Sequence, residues 1–222
     1  MSHTFDALLD RARALVSDGR RAVLGIAGAP AAGKTTLAEE LLAALGRTPP
    51  PGLPAGEWVA HVPMDGFHLA DVELDRLGLR DRKGAPETFD HLGYAALLRR
   101  FHEDRDDVVY APGFERVIEQ PIAGSIPVFR SARLLISEGN YLLLWESLRP
   151  LLTEVWYADL DPESRRRRLI DRHMRFGKPE PDAVSWATGT DERNAMLIAA
   201  TRPAADLIVG ADLLHRIGSA PG

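Results

Sequence analysis

The chain has 222 residues, 27% of them charged and 45% hydrophobic, with a formal net charge of −5 and no cysteine. Those figures suit one α/β domain with a sizeable core and exclude a disulfide framework, thiolate chemistry and a Cys-ligated zinc site. The acidic balance weighs against a bulk electrostatic nucleic-acid binder. No stretch approaches the ~18 apolar residues of a membrane helix, and the acid-bearing N-terminus lacks the apolar core of a signal peptide, so a cytoplasmic location away from membranes is expected.

Residues 4–17 predict an amphipathic helix, with Phe5, Leu8, Leu9, Ala12 and Leu15 at helical spacing and Gly19 beyond its end. Residues 21–28 form a short apolar run that reads as a buried strand of a parallel sheet. A glycine-rich stretch over 28–33 leads into a strong helical pattern from Lys34. The prolines and glycines of 46–56 predict a surface connection. Residues 57–64 read as a second strand, 66–90 as irregular with a helical turn near Val72–Leu77, and 91–103 as a helix. Residues 107–129 read as short strands and turns. Residues 133–137 and 154–160 give a third and a fourth strand. Asp161-Pro162 has the chemistry of a helix start, because Asp accepts from a free N–H and Pro suits the first helical position. Residues 191–200 read as a helix and 206–209 as a fifth strand.

Strands alternating with helices predict a doubly wound, five-stranded parallel sheet with helices on both faces and ligands at the C-terminal strand ends. The expected organisation is a single domain over residues 1–222. The excursion over 66–130 is too long for a simple crossover and is the expected acceptor-binding insert.

Gly28-Ala29-Pro30-Ala31-Ala32-Gly33-Lys34-Thr35 fits G-x-x-x-x-G-K-[ST], the phosphate-binding loop of the P-loop NTPase fold. Average residue usage produces this pattern by chance in about 1% of chains this long, and here it sits between a predicted strand and a predicted helix, as the chemistry requires. Glycines let consecutive N–H groups, those of Ala29, Ala31 and Ala32 among them, converge on phosphate oxygens. The helix start at Gly33 adds a positive dipole end. Lys34 reaches the outer phosphates, the Thr35 hydroxyl is a Mg²⁺ ligand, and Thr36 continues the segment. The loop binds a nucleotide without naming a reaction. Absence of an Asn-Lys-x-Asp segment argues against a GTPase, and absence of Leu-Ser-Gly-Gly against a transporter ATPase.

Two acids follow strands. Asp65, after the second, stands where a carboxylate takes the proton of an attacking hydroxyl; a plain Asp-Gly turn is the alternative. Glu138, after the third, suits Mg²⁺ or substrate positioning. Arg165, Arg168, Arg172 and Arg175 recur at helical spacing and share a face. Such a face can close over phosphates as a lid, spanning about 165–190, and stabilise transferred charge. Gly177, Pro179 and Pro181 are its expected hinge. A solvated face is the alternative. His68 either binds the acceptor or orients Asp65. Of the four tryptophans, three read as core, and Trp186 lies beside the lid.

The pieces GAPAAGKTT, VPMDGFH, RKGAPETFD, YAPGFER, ISEGNYLLL, RHMRFGK and GTDERN resemble the uridine kinase, phosphoribulokinase and bacterial pantothenate kinase group. Within that group the look is nearest to a bacterial nucleoside/nucleotide kinase-like branch associated with fructose transport. The resemblance covers about residues 20–210. It implies an ATP- and Mg²⁺-dependent kinase with a small-molecule hydroxyl acceptor, and it makes Asp65 the base. It places Phe67, His68, Lys83 and Asp90 by the acceptor and Tyr110, Phe114 and Arg116 on the pocket's far wall. Glu138 matches the third-strand acid. Arg168, Arg172 and Arg175 match the lid, with Arg168 and Arg172 on the transferred phosphate and Arg175 on the nucleotide. Asn194 lies in a recurring segment of the branch, and Arg202 precedes the last strand, where the adenine packs. Related kinases are commonly dimers. Asp65-Gly66-Phe67-His68 departs from the Asp-x-Phe-Tyr-like run of uridine kinases toward the pantothenate kinase pattern. Two other functions stand beside this one: a regulatory ATPase without an acceptor, and a nucleic-acid module built on Arg165–Arg168.

Overall fold

A computed structural model describes residues 3–177 and 179–218. Lys178, which ends one of the resembling segments, and the extreme termini of the expected 1–222 domain lie outside the described residues. Helix α1 (Phe5–Ala14) starts where the Thr4 hydroxyl accepts from the Ala7 amide at 3.2 Å, and it buries Leu8, Leu9 and Ala12. Strand β1 (Ala22–Ala27) is buried along its whole length, as its uninterrupted apolar run requires. Helix α2 is Lys34–Arg47. Strand β2 is only Val59–His61, although Val62 still donates to the Ile136 carbonyl at 2.9 Å. It stops at Pro63, which has no N–H to give a ladder, and a 3₁₀ turn over Met64–Phe67 follows.

The insert contains α3 (Asp71–Leu77), α4 (His91–Glu103) and an antiparallel hairpin of β3 (Val108–Glu115) and β4 (Gln120–Phe129). The run of short strands and turns expected over 107–129 is therefore one long hairpin. Its prolines are tolerated because each strand of a two-stranded ribbon is an edge. Helix α4 packs against the sheet, since Tyr94, Leu98 and Phe101 are fully buried in the core on that side.

Strands β5 (Leu134–Gly139), β6 (Glu154–Asp159) and β7 (Leu207–Gly210) complete a parallel sheet in the order β2-β5-β1-β6-β7. Alternation along the strands divides the core. Leu24, Ile26, Leu134 and Ile136 face α1 and α2, while Val23, Ala27 and Leu135 face α4 and the hairpin. Trp58 and Trp156 fill the first side and Trp145 the second.

Between β6 and β7 run α5 (Pro162–Arg175), α6 (Glu180–Thr188) and α7 (Thr190–Ala199); α8 (Ala211–Gly218) ends the described chain. Helix α6 replaces the expected hinge. Pro179 is its N-cap and Pro181 lies in its first turn, where a missing N–H is no loss, so these prolines start a helix. Gly177, at φ 90°, ends α5 instead. No described helix is long and apolar enough to cross a membrane.

Candidate active site

The β1–β5 register pairs Ile26 with Glu138 and Ala27 with Gly139, so the acid leaves its strand beside the point where the phosphate loop begins. Gly28 sits at φ 148°, and a Cβ there would lie 2.7 Å from the Ala158 carbonyl oxygen. Ala31 and Gly33 are also left-handed, at φ 62° and 94°, which turns the loop back onto the start of α2. Lys34 is buried, and its Nζ donates to the Ala29 carbonyl at 3.0 Å, inside the loop. Burial lowers its pKa to about 8; Glu138 and Asp65 oppose that fall, whereas Arg172 and Arg165 add to it. A buried ammonium ringed by turned-in backbone at a helix start has the donor chemistry of a polyphosphate site.

Glu138 accepts from the Thr35 hydroxyl at 3.0 Å. Burial pushes its carboxyl up to about 7, with Asp65 adding to the rise and Lys34 and Thr35 opposing it. This hydroxyl–carboxylate pair is an all-oxygen set that fits Mg²⁺, which usually takes one or two protein oxygens and fills its shell with water and substrate phosphate. Among the described residues no cluster of three or more His, Cys, Asp or Glu side chains competes for a metal.

Asp65 lies in the 3₁₀ turn after β2. Its carboxylate is bound by Arg116 Nη2 at 2.5 Å. Burial works to raise this carboxyl, but Arg116, His68 and Lys34 outweigh it and hold it below the ordinary Asp value. His68 donates from Nδ1 to the Asp65 carbonyl at 2.8 Å, and its ring lies 4.0 Å from Phe89 and 4.8 Å from Phe114. Burial lowers the His68 pKa, with Lys83 and Arg116 contributing in the same direction against Asp65. The next residue after the acid must be glycine for a steric reason: a Cβ on Gly66 would sit 2.1 Å from the Pro112 carbonyl oxygen, so the hairpin crosses directly over the turn.

The other sequence candidates separate. Phe114 lies under both Arg116 (5.0 Å) and Lys83 (5.6 Å). Lys83 is paired with Asp71 at 2.7 Å and donates to the Glu119 carbonyl. Phe67 is buried and stacked on Tyr94 at 4.5 Å, so it supports the turn from the core. Tyr110 is exposed on β3, alternating with buried Val109 and Ala111. Asp90 caps α4, accepting from the Gly93 amide at 2.8 Å. Asn194 lies on α7, two residues past Glu192.

The arginine face also divides. Residues seven apart fall nearly in line on a helix, so Arg165 and Arg172 point together, and both act electrostatically on Lys34. Arg168 leans instead toward α8: its Nη1 would lie 3.5 Å from a Cβ on Gly33, and Nη2 is 3.3 Å from His215 Nδ1. Arg175 is exposed in the last turn of α5. Arg202 pairs with Asp159 at 3.0 Å. Arg165, set aside in favour of its neighbours by sequence reasoning, is buried, pairs with Glu192 of α7, and keeps an Nη1 with no hydrogen-bond partner among the described residues. It lines a cavity of about 620 Å³ with Ala29, Ala32, Asp159, Met196 and Gly210, which opens beside the phosphate loop. Spacing does not single it out, because Arg168 and Arg175 are also seven apart; its burial and its pairing with Glu192 do.

Fold and site together define the class: an α/β protein of the P-loop NTPase fold with a polyphosphate-binding loop. No protein-family model matches the chain. It is 32% identical over 216 residues to the Schizosaccharomyces pombe protein named "Putative uridine kinase C227.14", covering 93% of this chain and 90% of that one. It is 27% identical over 226 residues to the pantothenate kinase of Mycolicibacterium gilvum, covering 88% and 68%. A crystal structure described as a "putative fructose transport system kinase" from Silicibacter sp. TM1040 superposes with TM-score 0.82 at 36% identity, over 93% of this chain and 99% of that one. The chain therefore belongs to the uridine kinase and pantothenate kinase group of P-loop kinases.

Proposed function

We propose that the protein moves the γ-phosphoryl group of Mg-ATP to a hydroxyl of a small metabolite, with Asp65 as the base. The observation that carries this reading is the convergence of Lys34 at the start of α2 with Glu138 at the end of β5 and Asp65 in the turn after β2: Asp65 and Glu138 both act on the buried Lys34. Bound Mg-ATP supplies the phosphoryl group and the cation that screens it. Lys34 and the loop amides hold the phosphates, and Thr35 and Glu138 are the residues suited to the cation. The acceptor hydroxyl gives its proton to Asp65 as its oxygen bonds to phosphorus, the β–γ bridging bond breaks, and the electron pair leaves on ADP. Arg172 and Arg165 stabilise charge on the transferred group. Arg168 and Arg202 are suited to the nucleotide side, and Phe114, His68 and Arg116 to the acceptor.

The test is Mg-ATP-dependent ADP release across an acceptor panel of nucleosides, pantothenate, nicotinamide riboside, ribulose phosphate and hexoses, with Lys34→Ala as the inactive control. Asp65→Asn is expected to lower turnover by about 10²–10⁴-fold while ATP binding survives. Full turnover in that variant would remove Asp65 from the role of base. Steady ADP release that no acceptor alters would point to an ATPase.

A further inference from the structure

Asp65 is placed to accept a proton, yet one of its oxygens is held by Arg116 at 2.5 Å. The two partners are unequally placed. Arg116 comes from the tip of the hairpin and is half exposed, whereas Asp65 lies deeper, at 28% side-chain exposure. The guanidinium rests on the Phe114 ring, which Lys83 also approaches. Lys83 is fixed by Asp71 on α3 and by the Glu119 carbonyl at the hairpin turn, so it ties the tip in place. His68 closes the third side of the same ring. The acceptor's approach to Asp65 is thus lined by two cations and an aromatic face, and the more exposed cation is bound to the base itself.

We infer that the acceptor carries an anionic group, a carboxylate or a phosphate, that takes Arg116 from Asp65 as the acceptor docks. This deepens the kinase reading and rests on it. A carboxylate bound to a guanidinium is a poor base, because the pairing favours its ionised form. A neutral alcohol offers the guanidinium no comparable partner, so it leaves Asp65 engaged. A carboxylate or phosphate offers a bidentate, charge-assisted partner of the kind Arg prefers. Binding then moves Arg116 outward to the anion and leaves the Asp65 oxygen facing the hydroxyl. Discrimination and activation come from one movement, and water, which is neutral, gains no activated base.

The test uses three matched pairs that share a hydroxyl: pantothenate with panthenol, glycerate with glycerol, and ribulose 5-phosphate with ribulose. Wild-type enzyme is expected to turn over the charged member of a pair. The pair that responds distinguishes a carboxylate from a phosphate. Arg116→Met is expected to lower kcat/KM for that anion by about 10- to 100-fold, mainly through KM, and to raise turnover of its neutral partner, so that selectivity inverts. Equal use of both members by the wild type, or an equal loss on both in the variant, overturns the inference. A second measurement needs no turnover: the Arg116 side-chain NMR signals, assigned with the variant, are followed in ADP-loaded enzyme as each anion is added. A shift with an anion and none with its neutral partner supports the inference. Signals that all three anions leave unmoved overturn it, whatever the kinetics. ADP release that persists in Lys34→Ala would instead count against the kinase reading, which the NMR measurement does not use.

Discussion

Replacing Glu138 with glutamine tests whether this site stores a buried charge against its own stability. Burial raises the Glu138 carboxyl from 4.5 to about 7. Folding thus favours the protonated form, and the stability this group contributes is fully present below pH 4.5 and is lost as pH rises through 7. That rise of about 2.5, at 1.36 kcal/mol per pH unit, is on the order of 3 kcal/mol. At pH 5, protonated Glu138 and the glutamine carry the same charge, and both can accept the Thr35 hydroxyl. Glu138→Gln should then lie within about 1 kcal/mol of wild type, the small gap coming from the unfolded carboxyl, which is already mostly ionised at pH 5. At pH 8.5, with the carboxylate ionised in the wild type alone, the variant should be more stable by about 3 kcal/mol. For a chain of this size that corresponds to roughly 6–12 °C in Tm. Attraction from Lys34 does not reverse the sign, because burial lowers Lys34 to about 8 and leaves it largely uncharged at pH 8.5. Urea unfolding of both proteins without nucleotide, at pH 5 and 8.5, reads the difference directly. A stability gap that is the same at both pH values would refute the reasoning. Turnover should fall in the variant, so the expected result is an enzyme more stable and less active at high pH.

Gly66→Ala should drive a methyl group into the Pro112 carbonyl, since no side-chain movement can relieve a backbone contact of 2.1 Å. It should destabilise by about 1–3 kcal/mol and lower turnover by lifting the hairpin from Asp65; wild-type melting and kinetics would show that the crossing is looser than described. Arg165→Met should leave Glu192 without its partner on α5 and loosen α7. The pair is largely buried, so the expected loss is about 3 kcal/mol, read by chemical unfolding, with weaker ATP binding by calorimetry. A variant that binds ATP as wild type does would confine Arg165 to a structural role.

The sequence by itself determined what is contiguous. The phosphate loop is legible because eight adjacent residues carry both the backbone freedom and the charge that its chemistry needs. The five sheet strands are legible as apolar runs, and the start of α5 from Asp161-Pro162, because buried strands and caps are local. The resemblance to kinases rests on such short stretches. Two helices were not legible: α6 begins at prolines that read as a hinge, and α8 follows β7 without a connecting loop. Only the tertiary structure decided which side chains meet. Thr35 and Glu138 are 103 residues apart and are joined by the β1–β5 register. Asp65 and Arg116 are 51 apart and are joined by a hairpin crossing that Gly66 alone permits. Helical spacing put four arginines on one face, but the path of the chain after α5 brought Glu192 of α7 to Arg165 and His215 of α8 to Arg168. Periodicity states which way a side chain points from its own element; what it meets there depends on where the sheet and its crossings carry the rest of the chain.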